Sequence, residues 1–192
     1  MSKLQIIHTY LSNFHDIPLD STKRFLEVMD EYKADKNEIM TWEGDTEQYL
    51  YFVLEGVQCS YYEKEGKKHV MAFTYAPSFS GVPESFLTQT RSHFTIQTLT
   101  ESRFLRISKE SFDILLEEDR EIERFVRKAT AQILTGLTKR YYELMALSME
   151  ERFKSFMSRS AHLLQKVSHK HIASYLNMDP TNFSKLMNRT RI

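Results

Sequence analysis

Residues 168–189 read SHKHIASYLNMDPTNFSKLMNR. Asn177 tolerates the left-handed backbone that a tight corner between two helices requires, and Met178 can fill that corner with an apolar side chain. Asp179 followed by Pro180 marks the start of a helix, because an acidic cap precedes a proline whose missing N–H costs nothing at the first helical position. The stretch therefore predicts two short helices joined by a tight turn.

The apolar residues on either side of this turn fit a helix-turn-helix. Ser168 can cap the first helix, and the small Ala173 lets the second helix cross it closely. The buried sets are predicted to be Ile172, Ala173 and Leu176 on the first helix, and Phe183, Leu186 and Met187 on the second. The second helix then shows polar and basic side chains outward, as a helix in a DNA major groove does. An ordinary corner of two helices is the alternative.

Charge is divided unevenly along the 192 residues, although 26 basic residues balance 26 acidic ones overall. Residues 152–192 carry eight basic residues and one acid, Asp179, for a net charge of +7. The first 151 residues consequently carry −7. This asymmetry indicates an acidic body with a basic, partner-binding tail, while a merely solvated basic face is the alternative.

The middle of the chain has the texture of a small β domain. Short apolar or alternating runs such as residues 49–54, 70–75 and 94–99 are separated by turn signals, and four of the five glycines fall among them. Strands at this spacing predict a jelly roll or sandwich. Helical periodicity before residue 32 and after Ser108 makes the predicted fold class α+β.

A long helix is predicted over residues 119–147, which contain no proline. Such a helix is longer than one small domain can cover, so its apolar stripe favours a helix pair between two copies of the chain. A helix lying across its own barrel is the alternative. After it, Ser148 and Glu151 form a capping-box pattern that starts a new helix. The candidate dimer residues are Ile122, Phe125, Val126, Ala129, Ile133 and Leu137.

Taken together, nearly the whole chain resembles the cyclic-AMP receptor/fumarate–nitrate regulator (CRP/FNR) family of bacterial transcription factors, and particularly the short members common in Bacteroidetes. Residues 42–45 (WEGD) and 51–56 (YFVLEG) are similar to the family's jelly-roll turns. The long helix resembles its dimer helix, and residues 167–189 resemble its helix-turn-helix. The resemblance implies three parts: a β-roll sensor domain with flanking helices (1–118), a dimerisation helix (119–147) and a DNA-binding domain (148–192).

The resemblance also implies a homodimer that binds a palindromic operator on double-stranded DNA. Pro180 and Thr181 stand where many members have an arginine and a glutamate, whereas Lys185 keeps a basic residue of the family. The family's two-stranded wing would lie beyond Ile192. We assign Thr181 and Lys185 to base edges. The residues assigned mainly to phosphates are Asn182, Ser184, Lys170 and Arg189.

The effector site is less clear from the sequence. Nucleotide-binding relatives carry Phe-Gly-Glu and, after a short helix, Arg-Ser/Thr-Ala, whereas this chain has Phe79-Ser80-Gly81 and then Arg91-Ser92-His93. A degenerate cassette in which Arg91 pairs with Glu84 or solvent disfavours a cyclic nucleotide, so no cofactor is assigned. Another small ligand against the long helix, or no ligand, are the alternatives. The candidate ligand residues are Gly81, Glu84, Arg91 and Ser92.

Other classes of protein fit less well. The single cysteine, Cys59, excludes an internal disulfide and a multi-cysteine cluster, and is expected to be a core thiol rather than a redox switch. Only His69 and His93 fall in the β region, so a metal-dependent cupin enzyme is disfavoured, and no metal site or catalytic residue is assigned. No apolar run suits a signal peptide or a membrane span, which predicts a cytoplasmic protein without membrane contact.

The sequence thus predicts a non-enzymatic, dimeric, DNA-binding transcriptional regulator with a β-roll that a small effector can control. RNA polymerase is a candidate further partner. A ligand-binding or protein-interaction module that has lost sequence-specific DNA binding is the alternative.

Overall fold

The computed structural model describes residues 2–189. Its helices are α1 (Lys3–Ser12), α2 (Leu19–Glu27), α3 (Pro83–Thr88), α4 (Lys109–Glu118), α5 (Arg120–Ala146), α6 (Met149–Ser160), α7 (His169–Tyr175) and α8 (Pro180–Arg189), with a 3₁₀ segment at Ala161–Gln165. Its strands are β1 (Asp30–Ala34), β2 (Ile39–Thr41), β3 (Tyr49–Glu55), β4 (Val57–Lys64), β5 (Lys67–Tyr75), β6 (Ser78–Ser80), β7 (Thr95–Thr98) and β8 (Ser102–Ser108).

The strands form two four-stranded sheets in which neighbouring strands are antiparallel. The order is β1-β8-β3-β6 in the first sheet and β2-β7-β4-β5 in the second. In the first sheet, Tyr51 of β3 lies opposite Arg106 of β8, and Asp30 of β1 lies opposite Arg106 on the other side. The predicted α+β class with a jelly roll, a long helix and C-terminal helices is confirmed.

Alternation along β3 separates two environments. Phe52 faces a core that the helices α1, α2, α4 and α5 share, with its neighbours Leu50 and Leu54 packed against that core. Tyr51 and Val53 point the other way, toward the second sheet. Because successive strand residues face opposite sides, one strand contributes to both the helical core and the interior of the roll.

The first turns of α5 lie in this helical core. Ile122 and Phe125 are buried there, and the ring of Phe125 meets the ring of Phe14 edge-on at 5.6 Å. The prediction that Ile122 and Phe125 contact a second subunit is therefore wrong, since the chain's own residues already cover them. Val126 and Ala129 are partly buried against the same core.

Further along, α5 leaves the body. Residues 130–139 are all exposed, and the exposed fractions of Ile133 and Leu137 are 46% and 59%. Helices in proteins are stabilised mainly by packing against other elements. This segment of α5 packs against little of its own chain. Its apolar stripe is available to another surface.

The C-terminal helices pack on the outer face of the second sheet. Cys59 and Tyr61 of β4 share one buried cluster with Phe153, Phe156 and Phe183 of the tail. The Ser174 hydroxyl of α7 donates to the Lys68 carbonyl (2.8 Å) and accepts from the Val70 amide (3.0 Å). Ser174 thereby satisfies backbone groups on the outer edge of β5, which has no neighbouring strand on that side within residues 2–189.

Gly56 makes the tight link between β3 and β4 possible. Its φ is +95°, and a Cβ at this position would lie 2.7 Å from the Glu101 carbonyl oxygen and 2.8 Å from the Ser102 Cα. Both atoms belong to the backbone, so neither can move aside without shifting the start of β8. Gly66, in the turn between β4 and β5, also has positive φ (+69°) but open space around it.

We predict that Gly56→Ala lowers the free energy of unfolding by more than roughly 2 kcal/mol, because backbone overlap adds to conformational strain. Gly66→Ala should cost only about 1 kcal/mol, from the strain alone. Chemical denaturation of both variants measures the difference. Equal losses for the two variants would show that the close approach at Gly56 is unimportant.

Candidate functional site

The first helix of the predicted helix-turn-helix, α7, begins and ends as the sequence suggested. The Ser168 side chain accepts a hydrogen bond from the His171 amide, which caps the helix. Ala173 is fully buried, and the Met178 amide donates to its carbonyl at 3.0 Å. Asn177 adopts a left-handed conformation with φ of 51°, and Met178 is buried in the corner.

The second helix, α8, is fixed at its start by Asp179. One carboxylate oxygen accepts from the Thr181 amide at 2.7 Å, and the Asp179 carbonyl accepts from the Phe183 amide at 3.0 Å. Hydrogen bonds to the carboxylate, led by that from the Thr181 amide, hold the pKa of Asp179 below its ordinary value. Phe183 is completely buried against Phe153, with ring centroids 5.7 Å apart. The direction of α8 is therefore set at its first turn.

The outward face of α8 is polar and basic. Its exposed residues follow the spacing i, i+3, i+4, i+7 and i+8, which is one face of a helix. They are Thr181, Ser184, Lys185, Asn188 and Arg189. Asn188 belongs to this face although the sequence-based assignment omitted it, and the same helical spacing from Thr181 and Ser184 is the signal that could have found it.

The other predicted DNA-binding residues occupy different settings. Lys170 is exposed on α7, Asn182 is half-buried, and the Ser184 hydroxyl donates to the Pro180 carbonyl at 3.0 Å. Within residues 2–189, neither Lys170 nor Lys185 nor Arg189 forms an ion pair. These cations keep their charge available for a partner.

A buried arginine holds the turn between α7 and α8. Arg152 of α6 is 8% exposed, and its Nε donates to the Leu176 carbonyl at 2.9 Å. Its two Nη atoms donate to the carbonyls of Leu147 (2.7 Å) and Asn177 (3.4 Å). Leu147 caps α5 at its C-terminal end, so one guanidinium ties the end of the long helix to the corner of the helix-turn-helix.

A second set of charged residues joins α5 to α6. Glu143 of α5 is 2% exposed and receives both Nη atoms of Arg159 at 2.8 and 3.1 Å, together with the Ser155 hydroxyl at 2.8 Å. Burial alone would raise the pKa of Glu143, but the hydrogen bonds from Arg159 and Ser155 outweigh it and keep the pKa low. Glu143 therefore stays ionised in this paired setting.

Arg140 extends this contact to α7. Its guanidinium lies over the ring of Tyr175, 3.9 Å from the centroid, and donates to the Tyr175 carbonyl. The long helix thus contacts the first helix of the pair directly.

The four predicted ligand residues occupy different settings. Glu84 and Arg91 are both exposed and form no ion pair with each other. Ser92 is buried, and its hydroxyl donates to the Phe94 carbonyl (2.6 Å) and accepts from the Phe94 amide (3.0 Å). Gly81 has φ of +132° and stands beside the Tyr49 carbonyl.

A carboxylate outside the predicted ligand set lies next to Gly81. Glu47 is buried, and one of its oxygens accepts from the Thr41 hydroxyl at 2.7 Å and from the Val82 amide at 3.3 Å. Burial raises the pKa of Glu47. The Val82 amide in the predicted cassette is consequently used by the protein itself.

Comparisons with known proteins agree with this architecture. Residues 31–119 match the sequence model of the cyclic nucleotide-binding domain. FixK2 from Bradyrhizobium japonicum is 18% identical, with 84% of each chain covered and a TM-score of 0.76. The catabolite activator protein of Thermus thermophilus is 17% identical over 92% of this chain and 84% of that one, with a TM-score of 0.59. No curated protein sequence matches the chain significantly.

The chain has the fold of these CRP/FNR-type structures, and residues 31–119 resemble the cyclic nucleotide-binding domain. The global regulator CLP of Xanthomonas campestris, described as responsive to c-di-GMP, is a further structural relative, 18% identical over 90% of this chain and 91% of that one, with a TM-score of 0.67. At these identities the likeness establishes the fold. The predicted resemblance to the CRP/FNR family is confirmed as a likeness of fold.

Within this CRP/FNR fold, the cysteine and the histidine of β5 are not arranged for catalysis or metal binding. Cys59 is buried beneath the C-terminal helices, and desolvation raises the pKa of its thiol to about 12. The thiol therefore stays protonated and is a poor nucleophile. His69 stacks on Tyr62, and across residues 2–189 no group of three histidine, cysteine or carboxylate side chains is placed to hold a metal ion. None of the helices in the same part of the chain has the length and apolar character needed to cross a bilayer.

We predict that Arg152→Met loosens the helix-turn-helix. The substitution keeps much of the volume but leaves the carbonyls of Leu147 and Leu176 without their donor, so the free energy of unfolding should fall by about 2–4 kcal/mol. Chemical denaturation measures that loss, and amide exchange in α7 and α8 should accelerate.

Lys154→Met is the matched control on the same helix. Lys154 is exposed and pairs only with Glu150 at the surface, so this change should stay within about 0.5 kcal/mol of the parent. If Arg152→Met were as stable as the control, Arg152 would not be what fixes the turn.

Proposed function

We propose that the protein is a homodimeric transcriptional regulator that binds double-stranded DNA through α8. The observation that carries this proposal is the exposed face of α8, where Lys185 and Arg189 lie beside Thr181, Ser184 and Asn188 and form no ion pair within residues 2–189. A rigid corner behind this face holds the helix as a unit, as groove binding requires.

The charge and type of each side chain on this face suggest whether it contacts bases or phosphates. Thr181 and Lys185 stand near the start and middle of α8, where recognition helices contact base edges, and we assign them to bases. We assign Arg189, Lys170, Asn182 and Ser184 to phosphates, with Asn188 as an addition on the same face. The +7 tail favours approach to the polyanion, whereas the −7 body disfavours contact elsewhere.

The free part of α5 supports the homodimer. Ile133 and Leu137 lie one turn apart on its exposed stretch, and a Cβ added at the neighbouring Gly136 would meet no atom within 4 Å apart from the helix's own backbone. Two such helices packed together would bury both stripes. Val126 and Ala129, at the edge of the chain's own core, border the proposed interface. This division corresponds to a sensor domain at 1–118, a dimer helix at 119–147 and a DNA-binding domain at 148–192.

A cytoplasmic location and a non-enzymatic role accompany this proposal. The regulators that share the fold support both, and RNA polymerase is a proposed further partner.

A second candidate is a regulatory module that no longer reads DNA sequence. The observation that favours it is the attachment of the tail to its own roll through Ser174, together with the neutral start of α8 at Pro180 and Thr181. The two candidates differ in whether a preferred DNA sequence exists. Selection of bound duplexes from a randomised library, followed by measurement of the selected and scrambled sites, distinguishes them.

We predict that Lys185→Ala combined with Arg189→Ala weakens binding to the selected duplex at least about 100-fold, because two charged contacts are lost in each half-site. The salt dependence should also become shallower, by about 2 in the slope of log K against log salt for a dimer, because Arg189 is the lost phosphate contact in each half-site. Fluorescence anisotropy over a range of salt concentrations measures both effects.

The matched control is Lys33→Ala combined with Lys36→Ala. It removes the same charge from positions on and beside β1, far along the chain from the tail. The control should bind as the parent does. A parental affinity for the α8 double variant would instead refute the placement of the DNA interface.

We predict that Ile133→Glu separates the dimer. Sedimentation should give twice 22.8 kDa for the parent and 22.8 kDa for the variant, because a buried carboxylate is costly in an apolar helix pair. Thr135→Glu places the same charge on the opposite side of α5 and should leave the dimer intact. A monomeric parent at micromolar concentration contradicts the proposed interface.

A further inference from the structure

We propose that Arg106 and the three tyrosines around it, Tyr32, Tyr49 and Tyr51, bind a small molecule through a carboxylate or phosphate group. This site lies inside the β-roll and is separate from Arg91 and Ser92. Describing the bound molecule as an effector rests on the proposed function, whereas its binding does not.

Strand alternation places these residues in the interior. Ser102 and Phe104 precede Arg106 on the same face of β8, and the Ser102 hydroxyl accepts from the Gln58 side chain of the second sheet at 2.9 Å. Arg106 therefore points into the space between the sheets. Tyr51 lies directly opposite it on β3.

Part of this interior is polar. Gln58 also accepts from the Thr74 hydroxyl at 3.2 Å, and Thr74 exchanges a hydrogen bond with Ser80 at 3.0 Å. These polar groups are paired with one another, as buried polar groups usually are, whereas the Arg106 Nε has no partner within residues 2–189.

The guanidinium of Arg106 is held by two rings. Its Cζ lies 4.5 Å from the ring centroid of Tyr32 and 4.4 Å from that of Tyr49. Stacking of this kind covers the faces of the guanidinium and leaves its edge for hydrogen bonding. The edge of a guanidinium matches a carboxylate or phosphate bidentately.

No acceptor takes up that edge. Across residues 2–189 the Arg106 side chain forms neither a hydrogen bond nor an ion pair, and its Nε is buried without a partner. An unpaired cation in a partly buried position is costly, and a bound anion would remove that cost. Arg106 as a whole is only partly buried, so part of the residue is exposed to solvent.

The surrounding hydroxyls are donors as well. Tyr51 is 4% exposed, and its hydroxyl forms no hydrogen bond within the described part of the chain. Burial, followed by the nearby charge of Glu47, raises the pKa of Tyr51, and burial raises the pKa of Tyr32 to about 12. Both phenols are protonated at neutral pH, so Tyr51 can donate to the same oxyanion.

Two carboxylates beside the tyrosines, Glu38 and Glu47, are already engaged, and Asp30, which lies opposite Arg106 on β1, forms no ion pair with it in the described chain. Glu38 accepts from the Tyr32 hydroxyl and from the Asp35 amide, and Glu47 is held by Thr41 and Val82. Neither forms an ion pair with Arg106 in the described chain. The guanidinium and the protonated phenols favour an oxyanion group on the ligand. The tyrosine rings favour an apolar or aromatic remainder.

The experiment uses the full-length protein without DNA. Sodium benzoate and phenyl phosphate are the two anionic probes, and benzamide is their uncharged counterpart. The readouts are the Nε–Hε NMR signal of Arg106 in ¹⁵N-arginine-labelled protein and the melting temperature. We expect a saturable shift of that signal and a higher melting temperature with at least one anion, and neither with benzamide. The anion that binds more tightly identifies a carboxylate or a phosphate ligand.

Variants assign the site. Arg106→Gln should abolish the response, and Tyr51→Phe, which removes only the hydroxyl, should weaken binding several-fold while the protein remains folded. Arg103→Gln, which removes an exposed cation from the other face of β8, is the control and should bind as the parent does, and Arg91→Gln tests the predicted cassette as the rival site. Saturation by neither anion, parental binding by folded Arg106→Gln, or loss of binding in Arg91→Gln alone would each overturn the proposal. Failure of DNA binding with anion binding intact would overturn only the proposed function.

Discussion

The contacts of one buried guanidinium decide how the C-terminal helices are arranged. The last carbonyls of a helix have no partner within that helix, and where a helix ends inside the protein they must find donors elsewhere. Arg152 supplies those donors for the ends of α5 and α7 at once, through the carbonyls of Leu147 and Leu176. Removing it would leave both helix ends unsatisfied in a region that excludes water. The position of α8 follows, because only three residues separate the α7 cap from its first residue.

The same region connects the proposed dimer helix to the proposed DNA-binding helices. Glu143 and Arg140 reach from α5 to Arg159 of α6 and Tyr175 of α7. These contacts are partly buried and charged, so they favour one relative orientation over a range of loose ones. A pair of subunits joined along residues 130–139, as proposed, would therefore hold its two α8 helices at a fixed separation. A fixed separation is what binding to two half-sites of a palindrome requires.

Features of the fold that depend on neighbouring residues could be predicted from the sequence. Features that depend on contacts between residues far apart in the chain could not. Asn177, Asp179 and Pro180 each act through their own backbone, so their roles are visible in the sequence. The burial of Phe125 depends instead on Phe14, which lies more than a hundred residues away. An amphipathic stripe on α5 cannot reveal by itself whether its apolar residues face the chain's own core or a second copy. Arg106 was likewise missed, because its place between Tyr32 and Tyr49 depends on the register of three strands.

Strand β3 relates the proposed anion site to the long helix. Tyr51 faces the guanidinium of Arg106, whereas the next residue, Phe52, lies on the opposite face, 5.3 Å from the ring of Phe79. Phe79 in turn lies 6.2 Å from the ring of Phe125 on α5. Packed rings therefore run from Phe52 to the base of the proposed dimer helix, and the backbone of β3 joins Phe52 to Tyr51 in the interior of the roll. Contact alone is not coupling, since a ligand moves an equilibrium only if it binds two arrangements of these rings with different affinity. Tyr51 and Phe52 are adjacent on one strand, so a shift of β3 on anion binding would be the arrangement that reaches α5.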